Sequence, residues 1–265
     1  MRGNSQFSGA LTDISRGVKY APLWWRMAVE ATVTRYRRAL LGPFWLATST
    51  LATAIGLTLV FGVILGGDWR TSFPFVLSGL MSWGIVGGVI GSGAGVFIVA
   101  GGLMQTRPFP LTFHVWLHLA RTGIDFAHQI IAFWVVMALV RLFPLPHWHL
   151  LFALPLVFLT NFSLIVPIAM ISTRYRDINY MVGFVMGVAF LLTPVFWRRA
   201  ALPDSRSWIV DLNPLAHMLE ILRQPLLGHP AALEHWRGVL LTLAVGAVLT
   251  VLSLMLYRRR VVFWL

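Results

Sequence analysis

The chain has 265 residues, of which 58% are hydrophobic and 11% are charged, a composition that excludes a soluble globular domain and predicts an all-α polytopic membrane protein. It contains no Cys, which excludes a disulfide framework and a thiolate metal or redox site. The net charge of +12 would indicate nucleic-acid binding only on the basic face of a soluble module, so we interpret it as membrane topology and predict no nucleic-acid partner.

The first segment predicts a cytoplasmic N-terminus followed by a helix at the membrane surface. The first 20 residues contain no apolar stretch like that of a signal peptide. Between residues 23 and 38, Trp25, Ala28 and Tyr36 fall on one side at helical spacing while Arg26 and Arg37 fall on another. This pattern predicts an amphipathic helix in the cytoplasmic interface. Such a helix is either a plain topogenic anchor or a contact for a partner or a lipid-linked substrate.

Six apolar stretches are predicted to cross the membrane: residues 44–65, 75–103, 116–140, 150–172, 178–197 and 239–257. An even number places both termini on one side, and cytoplasmic termini give that side 13 of the 21 basic residues against 7 on the other. The chain therefore divides into a cytoplasmic N-terminus with the interface helix (1–43), a six-span domain (44–257) with an outer segment (198–237), and a cytoplasmic tail (258–265).

The second predicted span is rich in small residues. It has nine glycines in 29 residues, and Gly84/Gly88, Gly87/Gly91 and Gly91/Gly95 are four residues apart. Small faces of this kind let helix backbones approach closely. We expect packing within the subunit, with a moving seam or a dimer contact as the alternative.

The third span carries a polar stripe along one helix face. The stripe consists of His114, His118, Arg121, Asp125 and His128. Charges at membrane depth face protein or water, so Arg121 and Asp125, one turn apart, are expected to pair. A polar seam along a substrate path is the alternative. A metal site on the two N-terminal histidines is not expected, because Asp125 has an arginine as its closer partner.

The fifth span begins at a charged cluster and ends at a proline. Arg174, Arg176 and Asp177 precede an uncharged stretch that places Thr193 and Pro194 in the last predicted turn. Proline removes an amide donor and loosens the helix end. We therefore predict a chain break at membrane depth, which requires protein or water to satisfy the freed carbonyl.

The outer segment after the fifth span is predicted to form short re-entrant or gate helices that rest at the outer membrane face or dip into it, and it holds a few acidic residues. Asn213 and Pro214 form a helix start, and an apolar stripe follows at Leu215, Met218, Leu219 and Leu222. Candidate catalytic residues are limited to Asp204, Asp211, Glu220 and His217, whose spacing fits no general acid/base pattern. No GxxxxGK[ST] phosphate loop is present, so energy must come from a partner or from a gradient.

Five short motifs, in this order, resemble a known family. They run over residues 35–45, 174–178, 193–197, 213–215 and 223–228, which read RYRRALLGPFW, RYRDI, TPVFW, NPL and RQPLLG. Together they look like the transmembrane subunit of type-2 ABC exporters that move polysaccharides and polyol phosphates, the group that handles O-antigen, capsule and teichoic acid chains. The polar stripe at residues 114–128 is not among these motifs.

The resemblance implies a homodimer in the bacterial inner membrane with two copies of a separate ABC ATPase subunit, where ATP and Mg²⁺ bind; this chain itself binds no cofactor. It implies ATPase coupling at Arg35, Tyr36, Arg37, Arg38, Arg174, Tyr175, Arg176 and Asp177. It implies an aromatic-lined conduit for a lipid-linked polysaccharide at Phe44, Trp45, Phe61, Phe184, Phe190 and Phe196. It implies an outer gate at Thr193, Pro194, Trp197, Asn213, Pro214 and Arg223.

Two other functions stay open at this point. A type-2 ABC exporter of a small lipophilic molecule would share the spans and the coupling residues but would not need a continuous aromatic channel. A polytopic glycan-processing enzyme would need its acidic residues free on an aqueous loop. The conduit aromatics have an alternative too, since each could instead face lipid or the protein core.

Overall fold

The computed structural model describes residues 2–64, 68–142 and 144–265, and the regular secondary structure of these residues is entirely helical. The first half contains α1 (Arg2–Lys19), α2 (Ala21–Tyr36), α3 (Phe44–Ile64), α4 (Trp69–Trp83), a π-helical turn (Gly84–Gly88), α5 (Val89–Gly93), α6 (Val96–Val99) and α7 (Gly101–Thr106). The second half contains α8 (Leu111–Leu139), α9 (Leu150–Arg174), α10 (Asp177–Leu192), α11 (Trp208–Asp211), α12 (Pro214–Leu226), α13 (Leu233–Tyr257) and α14 (Val261–Trp264).

Five helices in the described part of the chain are long and apolar enough to cross a membrane, rather than the six that we expected. The fifth predicted span corresponds to α10, which has 16 residues and is about 24 Å long, short of the roughly 30 Å hydrocarbon core. The prediction that Thr193 and Pro194 lie in the last helical turn is wrong. Thr193 is extended, with φ −89° and ψ 137°, because a residue before proline disfavours the helical region.

The second predicted span is the central element of the fold, but it is not one continuous helix. It begins at Trp69, six residues earlier than predicted, and continues through the π-helical turn and the short helices α5 to α7. Of its apolar window, 72% is buried, against 17% for α3 and 44% for α9. The glycine-rich sequence at residues 84–88 accommodates the wider π-helical turn, in which backbone hydrogen bonds span five residues instead of four.

The glycines of this element face different neighbours. A Cβ on Gly91 would lie 3.6 Å from Met186, and a Cβ on Gly95 would lie 3.0 Å from the Asn179 side chain, both on α10. These two glycines therefore pack within the subunit, as predicted. Gly84 differs, because a Cβ there would meet nothing within 4 Å.

Helices α3, α8, α9, α10 and α12 contact the central element, and α13 packs against α9 and α12. Helices α9 and α13 pack closely, because Gly246 lies against Ser163 and the Thr250 hydroxyl donates to the Ser163 carbonyl over 2.7 Å. Helix α12 rests on α4, α9 and α13. Helices α8 and α13 begin five and six residues earlier than the predicted spans.

The N-terminal residues form a helix, α1, that the sequence analysis did not predict. The Asp13 carboxylate accepts hydrogen bonds from the amides of Leu111 (3.2 Å) and Thr112 (3.1 Å), the first residues of α8, where backbone donors lack helical partners. Arg258, at the end of α13, donates to the Gly9 carbonyl. Both ends of the chain therefore meet at the same end of the molecule.

The predicted interface helix is α2, and it lies along α8. Trp24 stacks on Trp116 with ring centroids 5.9 Å apart, and Ala28 is fully buried against the same helix. At the far end of α2, Arg35 reaches Asp125, which is 14 residues, or about 21 Å, beyond the start of α8. The amphipathic pattern thus reflects packing on α8 as well as exposure on the opposite side.

Candidate functional site

The chain break after α10 is the first part of the site. Thr193, Pro194 and Val195 are buried although they lie outside any helix. The carbonyl of Val195 lies directly on α4, where a Cβ on Gly79 would approach it to 2.0 Å. Only glycine at position 79 leaves room for this approach.

Arg223 of α12 holds the break in place from the other side. Its side chain is 2% exposed, donates to the Pro194 carbonyl over 2.6 Å, and forms a salt bridge with Glu220. Its guanidinium also lies 4.0 Å from the centroid of the Phe75 ring. Burial lowers the pKa of Arg223 to about 9, which leaves it protonated at neutral pH. The carbonyl of Pro194 at the predicted break therefore accepts a hydrogen bond from a buried cation, the Arg223 guanidinium.

Asn213 joins α12 to the same break. Its side-chain oxygen accepts from the Leu215 amide (3.0 Å), which confirms the predicted helix start, with Pro214 at the first helical position. Its side-chain nitrogen donates to the Thr193 hydroxyl (3.0 Å). Four of the six predicted gate residues thus lie in one buried network: Thr193, Pro194, Asn213 and Arg223. Trp197 folds back on α10 instead, donating to the Leu191 carbonyl over 3.1 Å.

The acidic residues of the outer segment are mostly engaged in ion pairs. Arg199 binds Asp211 through two hydrogen bonds of 2.6 Å, and this contact lowers the pKa of the Asp211 carboxyl. Glu220 is paired with Arg223 and accepts from Gln224. In the described part of the chain, no group of three His, Cys, Asp or Glu side chains is placed to hold a metal ion.

The predicted conduit aromatics are divided between two places. Phe61, Phe190 and Phe196 meet beside the chain break, with the Phe196 ring 5.0 Å from Phe61 and 5.6 Å from Phe190. Phe44 lies elsewhere, against His128 at 5.5 Å. Trp45 and Phe184 are exposed, Phe184 to 74%.

The predicted coupling residues form two separate groups. Arg35, Tyr36, Arg37 and Arg38 lie at the end of α2, beside the middle of α8. Arg174, Tyr175, Arg176 and Asp177 form the exposed turn between α9 and α10, where the Arg174 guanidinium lies 5.4 Å from the Trp264 ring near the C-terminus. The turn between α9 and α10 is thus at the end of the molecule where both chain termini lie.

The predicted pairing of Arg121 with Asp125 is wrong. Asp125 instead binds Arg35 of α2 at 3.3 Å. An acid that follows a base by four residues is the less favourable order on a helix, and α2 supplies a competing cation from outside. Of the remaining stripe, the His128 ring bonds to the Ile124 carbonyl at 2.8 Å, and His118 lies 3.4 Å from the Ser92 hydroxyl.

Sequence reasoning missed three residues that complete the site around the chain break: Phe75, Gly79 and Trp83. Trp83 lies 5.6 Å from Phe190, and Phe75 contacts the guanidinium groups of both Arg198 and Arg223. All three occur in a long apolar stretch. Nothing in that stretch distinguishes a residue that contacts the break from an ordinary core residue.

Known proteins match most of this chain. Residues 22–227 match the model of a family described as ABC-2 type transporter. Among curated proteins, an O-antigen export system permease protein RfbA of Klebsiella pneumoniae is 21% identical over 229 residues, covering 85% of this chain and 86% of that protein. A protein of the same name from Myxococcus xanthus is 23% identical over 192 residues, covering 70% of this chain and 72% of its own length.

Proposed function

This chain belongs to the ABC-2 type transporter family, and from that membership we propose that it is the permease of an exporter of lipid-linked polysaccharide of the O-antigen type. The observation that carries the proposal is the match to permeases named for O-antigen export over 85% of the chain and a similar share of the relative. The five motifs of the sequence point to the same class.

The family implies an ABC ATPase as partner, and we propose two copies of it below a homodimer of this chain. ATP and Mg²⁺ would bind to that partner. Helix α10 has room for a dimer contact, because none of its residues is buried in the single chain and Tyr180 is 77% exposed. The chain would lie in the bacterial inner membrane with both termini in the cytoplasm, in line with the excess of basic residues there.

The turn between α9 and α10 is the proposed receiver of the ATPase movement. It is exposed, charged and directly continuous with α10, whose other end leads into the buried break. A displacement of α10 would therefore act on the contacts of Pro194 with Arg223 and of Thr193 with Asn213. The ring cluster of Phe61, Phe190 and Phe196 beside the break supplies flat apolar faces on which sugar rings stack weakly. Weak repeated contacts suit a polymer that must keep moving.

Co-purification with a candidate ABC ATPase subunit tests the assembly, and a double variant tests the coupling. Arg174→Ala with Asp177→Ala should keep the complex intact but reduce ATP-dependent export of the glycan to about a tenth or less, a loss of roughly 1.4 kcal/mol of coupling. Arg206→Ala with Asp204→Ala, the same charge change on the exposed outer turn, should leave export unchanged. Normal export by the first pair would remove the coupling role, and failure to assemble with any ATPase would overturn the proposed function.

A further inference from the structure

The polar stripe of α8 lines a cavity that the outer gate and the coupling turn do not use. The cavity holds about 440 Å³ and lies between α2, α3, α8 and the π-helical turn, with Arg35, Ser92, His118, Arg121, Asp125 and Gln129 on its wall. This volume falls within the roughly 300–1,000 Å³ of small-ligand pockets. A second cavity of about 310 Å³ shares Ser92, His118 and Arg121 with it and adds His114.

The wall of the first cavity carries two arginines, Arg35 and Arg121, and one carboxylate, Asp125. Asp125 pairs with Arg35 at 3.3 Å, so Arg121 lacks a carboxylate partner among the described residues. The Nε atom of Arg121 is buried and has no hydrogen-bond partner. His114 is only 1% exposed, and neither of its ring nitrogens has a partner. A half-buried cation and buried ring nitrogens of this kind are costly unless a ligand or water satisfies them.

An apolar cleft continues directly from the polar cavity. It holds about 270 Å³ between α3, α4 and α8 and is lined by Leu51, Leu77, Met81 and Phe133. Thr50 and Gln129 belong to both walls and mark the border between the charged and the apolar part. A molecule with an anionic head and a hydrocarbon chain would occupy both the charged cavity and the apolar cleft, whereas a free sugar or a soluble anion would leave the apolar cleft empty.

We propose that these two adjoining cavities bind the phosphate headgroup of the lipid-linked substrate, with the lipid chain lying in the apolar cleft. Arg121, which lines both cavities, and His114, which lines the second, would contact the phosphate oxygens. This assignment rests on the proposed function, since it takes the lipid-linked glycan as the cargo. Arginine suits the role because its guanidinium stays charged and offers donors that match phosphate oxygens.

Binding of radiolabelled geranylgeranyl pyrophosphate to the purified permease–ATPase complex in phosphatidylcholine nanodiscs tests the site without glycan or ATP. Arg121→Gln should weaken binding by about tenfold or more, because a charge-assisted contact to phosphate is lost. Arg70→Gln, an exposed arginine at the start of α4, should bind as the wild type does.

A second variant tests whether weaker binding in Arg121→Gln comes from loss of the site or from misfolding. Gly84 lines the cavity and a Cβ there meets nothing within 4 Å, so Gly84→Leu fills the space without removing a charge. It should also weaken binding by about tenfold or more, while Gly102→Leu, at an equally open position outside the lining, should not. Intact assembly of each variant with the ATPase shows that it is folded.

Three outcomes would overturn the proposal. Unchanged binding in Arg121→Gln and Gly84→Leu would place the phosphate elsewhere. Equal competition by phosphatidylglycerol would assign the cavity to bulk anionic lipid, and equal competition by geranylgeraniol would show that the phosphate is not recognised. Failure of the proposed function would give a different result from failure of this proposal. In that case the complex would export no glycan but would still bind geranylgeranyl pyrophosphate in an Arg121-dependent way.

Discussion

Arg223 connects three elements through one side chain. It is fully enclosed, it pairs with Glu220 one turn away on α12, and it donates to the Pro194 carbonyl of the break while lying over Phe75 of α4. A buried ion pair adds little to stability compared with apolar residues of similar size, yet removing one partner leaves an uncompensated charge. The pair therefore determines where the break sits more than how stable the fold is.

Arg223→Met should destabilise the protein by about 3–5 kcal/mol, because Glu220 is left buried without its cation. Adding Glu220→Met should recover most of that loss, since the second change removes the unpaired charge. Denaturant midpoints of the purified complex measure both effects, with exposed Arg206→Met as the control. A double variant as unstable as Arg223→Met alone would contradict this account of the pair.

Helix α4 supports the break because one of its positions has no side chain. Gly79→Ala would bring a Cβ to 2.0 Å from the Val195 carbonyl, so the segment that follows α10 must move away. We expect a loss of about 1–3 kcal/mol in unfolding free energy, as for overpacked cores, together with reduced export. Gly56→Ala on α3, where a Cβ meets nothing within 4 Å, should do neither. Equal denaturant midpoints for the two variants would show that the stability of the protein does not depend on this close approach of Val195 to Gly79.

The sequence predicted helices better than it predicted contacts. In the described part of the chain, apolar runs located the five helices that are long enough to cross a membrane, Asn213 with Pro214 located the start of α12, and the Thr193–Pro194 pair located the break to within a few residues. The ion pair of Arg35 with Asp125 spans 90 residues, and no local pattern indicates which arginine an acid will meet. The α1 helix was missed because its residues are largely polar and its contacts with α8 and Arg258 are long-range.

The whole molecule is an all-helical permease in which the central element is buried and the helices α3 and α10 are largely exposed. The central element from Trp69 onward is mostly buried, whereas α3 and α10 carry exposed apolar side chains along much of their length. The chain break and the turn between α9 and α10 lie at the two ends of α10. The cavity beside α2 is lined in part by α3. Cargo would enter beside α8, and α10 would carry the movement to the chain break.

The most direct measurement is ATP-dependent translocation of intact lipid-linked polysaccharide by the permease–ATPase complex in sealed vesicles, read out as protection of the glycan from an added glycosidase. The account predicts that the protected fraction rises with ATP and stays at background with a non-hydrolysable analogue. No protection of the polysaccharide, together with ATP-dependent accumulation of a small lipophilic dye, would contradict the account and identify an exporter of small lipophilic molecules.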